Sequence, residues 1–516
     1  MTKKILIGLL MLISAQFATN AQYYQNTLAP NATKFLPGPP AYTDTRFAID
    51  MDRYFNGKFS LTRDLDRKEQ IKADVPYGAQ NLVNTFAHLM GYKISYSASP
   101  SQWTVLYNGV TTVGYGADVK YSYARKRPCT EFNYTSTIMR ESTNESISSL
   151  KNSYSYPSAH SMTGWGYGML LAGLNPCNQD TILARAYEYG NSRVLGAMHW
   201  QSDVDDARLI AACGVAHMLN VDLFRRNYLD AIEEASKMIE DSLGLKNLAY
   251  EDPEYFAPKN MPNVLQYVPK PCDMTQTTPQ TAYDLAQYQI WGKGLRDTER
   301  GQKARFDTSN DLDVLINEFA HAIGSPIDSV QAPALYALLK AAAPISDNAC
   351  KIACDTYNRI RPFKYFNEEA YTFEDQSEML KQGSYPSVNA SRAWTTALLM
   401  AAVAVEKQDT IFKVGYELGQ SCVIAGINWQ SDVEAGRLVA NGTLSRMMSN
   451  PYFFTMLEDA INEYRTASRN IITDQMDLPI DCDEKKDAPM FTIDGRRATK
   501  DSRGIVVGKN RKIIVP

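Results

Sequence analysis

The stretch YEYGNSRVLGAMHWQSDVDDAR, Tyr187 to Arg208, returns as YELGQSCVIAGINWQSDVEAGR, Tyr416 to Arg437. The matches continue outward in the same order. QDTI begins at Gln179 and again at Gln408, and Pro157-Ser158 answers to Pro386-Ser387. Arg127-Pro128 answers to Arg361-Pro362, and FAHLMG at Phe86 to FAHAIG at Phe319. Order kept over such a distance marks a domain duplication. The period is far too long for a solenoid, so each copy is expected to own a core. Copy one is placed at residues 35–245 and copy two at 262–468, joined through EDPEYFAPKNMPN with its three prolines, Pro253, Pro258 and Pro262.

Inside each copy the pattern is helical. LNVDLFRRNYLDAIEEASKMIEDSL sets apolar residues at three- and four-residue steps, and APALYALLKAAA and TTALLMAAVAVEK are rich in strong helix formers. Strand alternation is nearly absent from both. The expected fold is all-α, two tandem helical bundles. A tail at residues 485–516 differs: Asp494-Gly495 is a turn signal, and GIVVGKNRKIIV reads as a short β-hairpin turning at Gly508-Lys509-Asn510. A sorting tail and a frayed terminus are both compatible with it.

The chain has 516 residues, 44% hydrophobic, and a net charge of −4, which argues against a nucleic-acid partner. Lys3 and Lys4 precede the apolar run Ile5 to Ile13, and Thr19-Asn20-Ala21 offers small residues before Gln22. Residues 1–21 therefore read as a signal peptide, and no later segment reads as a membrane span. The expected location is periplasmic or secreted. Disulfides are permitted there for the eight cysteines, but no C-x-x-C metal pattern is present.

Copy one holds three clusters in order. They are Lys120 with Arg127-Pro128, then Pro157-Ser158-Ala159-His160, then Ser192-Arg193 with His199 and Asp203. Lys and Arg are cations suited to phosphate oxygens, and Arg matches them bidentately. Ser158 opens an apolar helical run whose free N–H groups make an anion site. Two His allow a nucleophile and a general acid, and Asp203 can orient one of them. Together these suit phosphoryl transfer through a phosphohistidine, with no metal and no cofactor. His88, His321 and His217 read as structural.

The pattern K-x6-RP, PSAH, SR-x5-H-x3-D resembles the phosphatidate-phosphatase-like (PAP2) signature shared with vanadium haloperoxidases. Within it, the chain looks like the bacterial class A non-specific acid phosphatases. The resemblance covers nearly all of both copies. It implies an all-helical fold and metal-independent hydrolysis of phosphate monoesters. It also implies His199 as nucleophile, Asp203 as its orienter and His160 as general acid, with Lys120, Arg127, Ser158, Ala159 and Arg193 at the phosphate. The family Gly is Ala159 here, which adds a methyl beside an amide facing phosphate. A vanadium-dependent haloperoxidase and a non-catalytic phospholigand-binding protein are the alternative readings.

In copy two, Lys120 becomes Cys354, His160 becomes Asn389, Arg193 becomes Cys422 and His199 becomes Asn428. Arg361, Ser387 and Asp432 remain. Asn neither attacks nor titrates near neutrality, so copy two is expected to be inactive. It is then a packing partner in an intrachain pseudo-dimer, or a vestigial pocket using Arg361 and Ser387. Cys354 and Cys422 stand where phosphate-facing side chains would converge, and a disulfide between them needs close Cα atoms.

Overall fold

The computed structural model describes residues 29–60, 63–76, 78–113, 117–134, 147–244, 254–476, 491–492, 504–508 and 511–515. The signal-peptide segment, Pro253 in the joint, Asp494-Gly495 and Cys482 lie outside them. The chain falls into two compact units, residues 1–464 and 465–516.

In copy one the helices are α1 (Thr45–Ser60), α2 (Leu65–Ala73), α3 (Ala79–Met90), α4 (Pro100–Val113), α5 (Ala117–Tyr123) and α6 (Pro128–Glu131). They continue with α7 (Ile147–Leu150), α8 (Ala159–Leu174), α9 (Gln179–Leu195), α10 (Gln201–Leu219) and α11 (Asp222–Leu243). Copy two repeats the series with α12 (Pro279–Ala286), α13 (Glu299–Asp307), α14 (Leu312–Ile323), α15 (Pro333–Tyr357) and α16 (Pro362–Tyr365). Then come α17 (Gln376–Met379), α18 (Val388–Val403), α19 (Gln408–Ala425), α20 (Gln430–Met448) and α21 (Pro451–Met476). The all-α expectation holds for both copies.

Local chemistry sets the helix starts in matched pairs. Ser158 caps α8 by accepting from Ser161 N, and Ser387 caps α18 by accepting from Ala390 N. Asp203 accepts from Trp200 N at the start of α10, and Asp432 accepts from Trp429 N at the start of α20, both at 2.8 Å. The turn before α10 needs a left-handed residue. Copy two uses Gly426 (φ 76°), whereas copy one forces Ala197 to φ 61°.

The expectation of one core per copy is not met. A single apolar cluster contains Trp165, Leu170 and Ala211 from copy one together with Trp394, Leu398 and Val439 from copy two. The reason is that α8 and α10 are buried nearly all round, so one layer of neighbours within their own copy cannot cover them. α8 packs on α20 and α10 packs on α18. Polar bonds cross the seam: His217 Nδ1 lies 3.2 Å from Gln408 Oε1, and Asn220 Nδ2 donates to Ala402 O at 2.7 Å.

The copies also exchange segments. Asn31 N and Lys34 Nζ, ahead of copy one, donate to Asp409 on α19, and Phe35 meets the Phe412 ring at 5.2 Å. In return Gln266, at the head of copy two, donates to Asp180 on α9, and Tyr267 lies 6.3 Å from Trp165. A Cβ on Gly442 of α20 would fall onto the Tyr267 hydroxyl, so glycine there permits the close approach. His217 is in the core as expected, but His88 and His321 face solvent.

In the unit 465–516, strands β1 (Phe491–Thr492), β2 (Gly504–Gly508) and β3 (Arg511–Val515) form an antiparallel sheet in that order. Gly508 pairs with Arg511 and Ile505 with Ile514, which is the hairpin read from the sequence.

A shared core should unfold as one. Calorimetry is expected to show a single transition for the helical unit. Tyr267→Ala should destabilise that whole transition by about 3 kcal/mol, because a buried aromatic leaves a cavity. Two separated transitions, with only one shifted, would contradict the shared core.

Candidate active site

The three clusters of copy one converge where α5, the turn into α8 and the turn into α10 meet. His199 is 2% exposed and lies on that last turn, its backbone N donating to Arg193 O. Its Nε2 is 2.8 Å from Arg127 NH1. A guanidinium only donates, so Nε2 must carry the lone pair. The proton is then on Nδ1, which faces Asp203 Oδ2 at 3.5 Å and Ser155 Oγ at 3.4 Å.

Asp203 is fully buried and accepts on every side. Oδ2 takes Trp200 N and the Ser155 hydroxyl, and Oδ1 takes Arg125 NH1 at 2.6 Å. Burial alone would raise its carboxyl. The Arg125 charge and the bonds from His199 and Ser155 outweigh it and hold the group well below the usual carboxylate range.

Arg127 and Lys120 act on this ring, and Arg193 acts on the second imidazole, His160. Arg127 also donates to Ser153 O (2.6 Å) and Met198 O (2.9 Å). Lys120 Nζ reaches the carbonyls of Tyr154, Ser155 and Pro157. Burial, followed by the Arg127 charge, brings Lys120 down to about 7. Arg193, 4% exposed on α9, is close enough for its charge to act on His160.

His160 sits in the first turn of α8, with Nε2 3.1 Å from Val75 O. A carbonyl only accepts, so that nitrogen carries the proton. Asp74, bonded by Arg185 and Ser192, pins the chain beside Val75. Burial, then Arg193, lowers the His160 pKa well below its ordinary value. Burial, then Arg127, does the same to His199. Both imidazoles are thus kept neutral among cations. Ala159 takes the first position of α8 with an ordinary negative φ, so its backbone does not require glycine. The structure therefore brings Lys120, Arg127, Ser158, His160, His199 and Asp203 to one place. Arg193 joins them through its charge.

Three contributors escape motif reading: Arg125, Asp50 and Ser155. Arg125 bridges Asp203 to Asp50 Oδ2 (2.7 Å), and Asp50 accepts from Ser202 N (2.8 Å). Copy two rebuilds this. Arg359 bridges Asp432 (2.5 Å) to Asp284 (2.8 Å), and Asp284 accepts from Ser431 N (2.8 Å). The available signal was R-x-R-P and S-Y-P-S in both copies. A fainter one stands at Asp50, where Ala48-x-Asp50-x-x-x-Tyr54 on α1 matches Ala282-x-Asp284-x-x-x-Tyr288 on α12 and just past its end.

Around the copied scaffold the chemistry differs. Asn428 replaces His199, accepts from Ser387 Oγ (3.0 Å) and donates to Ser384 O (2.7 Å). Cys354 and Cys422 are free thiols, each donating to a backbone carbonyl. The Arg361 guanidinium is spread over the carbonyls of Met379, Ile427, Gln382 and Gly383.

The PAP2 superfamily model matches residues 102–226 and again 333–453, once on each copy. A non-specific acid phosphatase of Providencia stuartii is 41% identical over 182 residues, 35% of this chain and 73% of that protein. The chain belongs to the PAP2 superfamily. A non-specific acid phosphatase of Salmonella typhimurium is 31% identical over 240 residues, 45% of this chain and 93% of that protein. An acid phosphatase of Zymomonas mobilis is 30% identical over 173 residues, 34% of this chain and 66% of that protein. Among the described residues no group of three His, Cys, Asp or Glu could hold a metal ion. No single helix there is long and apolar enough to cross a membrane.

The Arg125 bridge generates a stability prediction. Arg125→Met leaves Asp203 and Asp50 buried without their cation and is expected to lower the unfolding free energy by about 3–5 kcal/mol. Lys126→Ala, beside it on the exposed side, should change it by less than ~0.5 kcal/mol. Urea denaturation of both variants checks this.

Proposed function

We propose that copy one is an acid phosphatase that hydrolyses phosphate monoesters through a phosphohistidine at His199. The supporting observation is the tautomer: the Nε2 lone pair faces the Arg127 guanidinium while Nδ1–H faces the Asp203 carboxylate. In the first step Nε2 attacks phosphorus and the P–O bond to the alcohol breaks. His160, neutral near pH 7, takes up a second proton at acid pH and in that form gives a proton to the leaving oxygen. In the second step water attacks phosphorus, His160 takes the proton and the P–N bond breaks. Lys120, Arg127 and Arg193, with Ser158 and the amides at Ala159, hold the phosphoryl oxygens and offset the developing charge. Asp203 stabilises the positive ring while it is attached to phosphorus.

Copy two is the inactive half. It lacks both imidazoles and two of the three cations, and its packing against copy one suits a pseudo-dimer partner. The N-terminal basic and apolar run supports export to the periplasm or beyond. Small phosphate monoesters are the substrate class.

His199→Ala is expected to cut turnover of p-nitrophenyl phosphate by at least ~10⁴-fold. Retained activity in that variant would refute the reading that His199 of copy one carries all of the hydrolysis. His160→Ala should cost about 10²–10⁴-fold on an alkyl phosphate and much less on p-nitrophenyl phosphate, whose phenolate needs no proton.

The pH dependence follows from directions. The His160 pKa is lowered, so its acid form is lost as pH rises through a value below 6.5. Lys120 loses its charge as pH rises through about 7. Both changes remove activity toward alkaline pH. A kcat/KM profile on an alkyl phosphate should be higher at pH 5 than at pH 8. The depressed His199 and His160 pKa values also favour folding above ~6.5, a contribution lost as pH falls through their folded values.

A further inference from the structure

Copy two keeps a cavity where copy one has its phosphate site. Its volume is about 400 Å³, within the range of small-molecule sites. Arg361, Ser384, Asn389 and Asn428 line it, at the positions of Arg127, Ser155, His160 and His199. The hollow has therefore outlasted the phosphoryl-transfer groups. Its charged side chains have changed. Cys354 and Cys422, which replace Lys120 and Arg193, are neutral thiols pushed up to about 12 by burial. The one remaining cation of that set, Arg361, donates to four backbone carbonyls. The walls add four carboxylates, Asp347, Glu374, Asp375 and Glu378, against Lys351 and Arg392. A phosphate dianion would meet one guanidinium where copy one offers three cations, with four carboxylates in the walls, of which Asp347 is paired with Arg392 and Glu378 with Lys381.

Two polar groups in it are unused. The Ser384 hydroxyl is buried and has no hydrogen-bond partner among the described residues. A buried hydroxyl without a partner is costly, which points to a ligand that completes it. The half-buried Asn389 amide likewise has no bond among the described residues, and it offers a donor and an acceptor side by side. That fork matches two adjacent hydroxyls, and the wall carboxylates accept from others.

We propose that the copy-two cavity binds a small neutral polyol, a free sugar of the kind released when a sugar phosphate is hydrolysed. The proposal rests on the reading that copy two no longer handles phosphate. It gives that half a ligand of its own: the alcohol product rather than the ester.

The test is saturation-transfer NMR on the full-length protein and on its His199→Ala form, with glucose, ribose and glycerol as probes. At least one should receive saturation in both proteins, and 10 mM inorganic phosphate should not displace it. Asn389→Trp, which fills the cavity from its half-buried wall, should abolish the signal while copy one keeps its phosphatase rate. Ser384→Ala removes a hydroxyl that bonds nothing in the protein and should weaken binding about tenfold with the fold intact. This second variant decides the matter if Asn389→Trp does not fold. No transfer to any probe, transfer unchanged in both variants, or displacement by phosphate would overturn the proposal. Residual turnover by His199→Ala would instead strike at the hydrolytic reading, because that signal comes from a different assay.

Discussion

The structure turns on a buried carboxylate that must never be left alone. Asp203 has no exposed surface, and Arg125 at 2.6 Å is its neutralising cation. A bare charge at that depth would cost several kcal/mol, so Arg125 must hold its place, and Asp50 fixes it from the far side. The Asp203 backbone oxygen in turn receives Ser158 N at 3.0 Å, which ties the start of α10 to the start of α8. Two helix starts, a carboxylate and an imidazole are thereby held in one frame. Pre-organised dipoles of this kind need not rearrange as charge develops.

The same frame stands in copy two beside different pocket side chains. Arg359, Asp284, Asp432 and the bond from Ser387 N to Asp432 O repeat the arrangement. The frame is therefore what lets two helix starts meet around a buried acid, whatever the pocket beside it contains. Differences between the copies concentrate on the side chains that face that pocket. There, imidazoles give way to amides and long cations to thiols.

The two copies are not independent bodies. Each lends a short segment to the other, Asn31 to Phe35 onto α19, and Gln266 onto α9 with Tyr267 beside Trp165 of α8. Helices α8 and α10 have no polar stripe wide enough to face water, so α20 and α18 supply the missing wall. Apolar helices of this kind read in sequence as core, but sequence does not say whose core. A period of three or four residues records burial, and nothing in it names the partner.

What the sequence determined by itself is therefore local or repeated. The duplication, the helical class of both halves, the short hairpin at the end and the identity of the pocket residues could all be read from patterns. Helix periodicity and fixed spacings need only neighbours in the chain. The tertiary structure alone decided the rest: the single shared core, the exchanged segments, Asp50 as the far anchor, and which nitrogen of His199 is free. Each of these depends on groups brought together from distant sequence. Arg125 meets Asp50 across 75 residues, and Asn31 meets Asp409 across 378. A lone pair on Nε2 is a property of what stands beside it, and only folding puts Arg127 there.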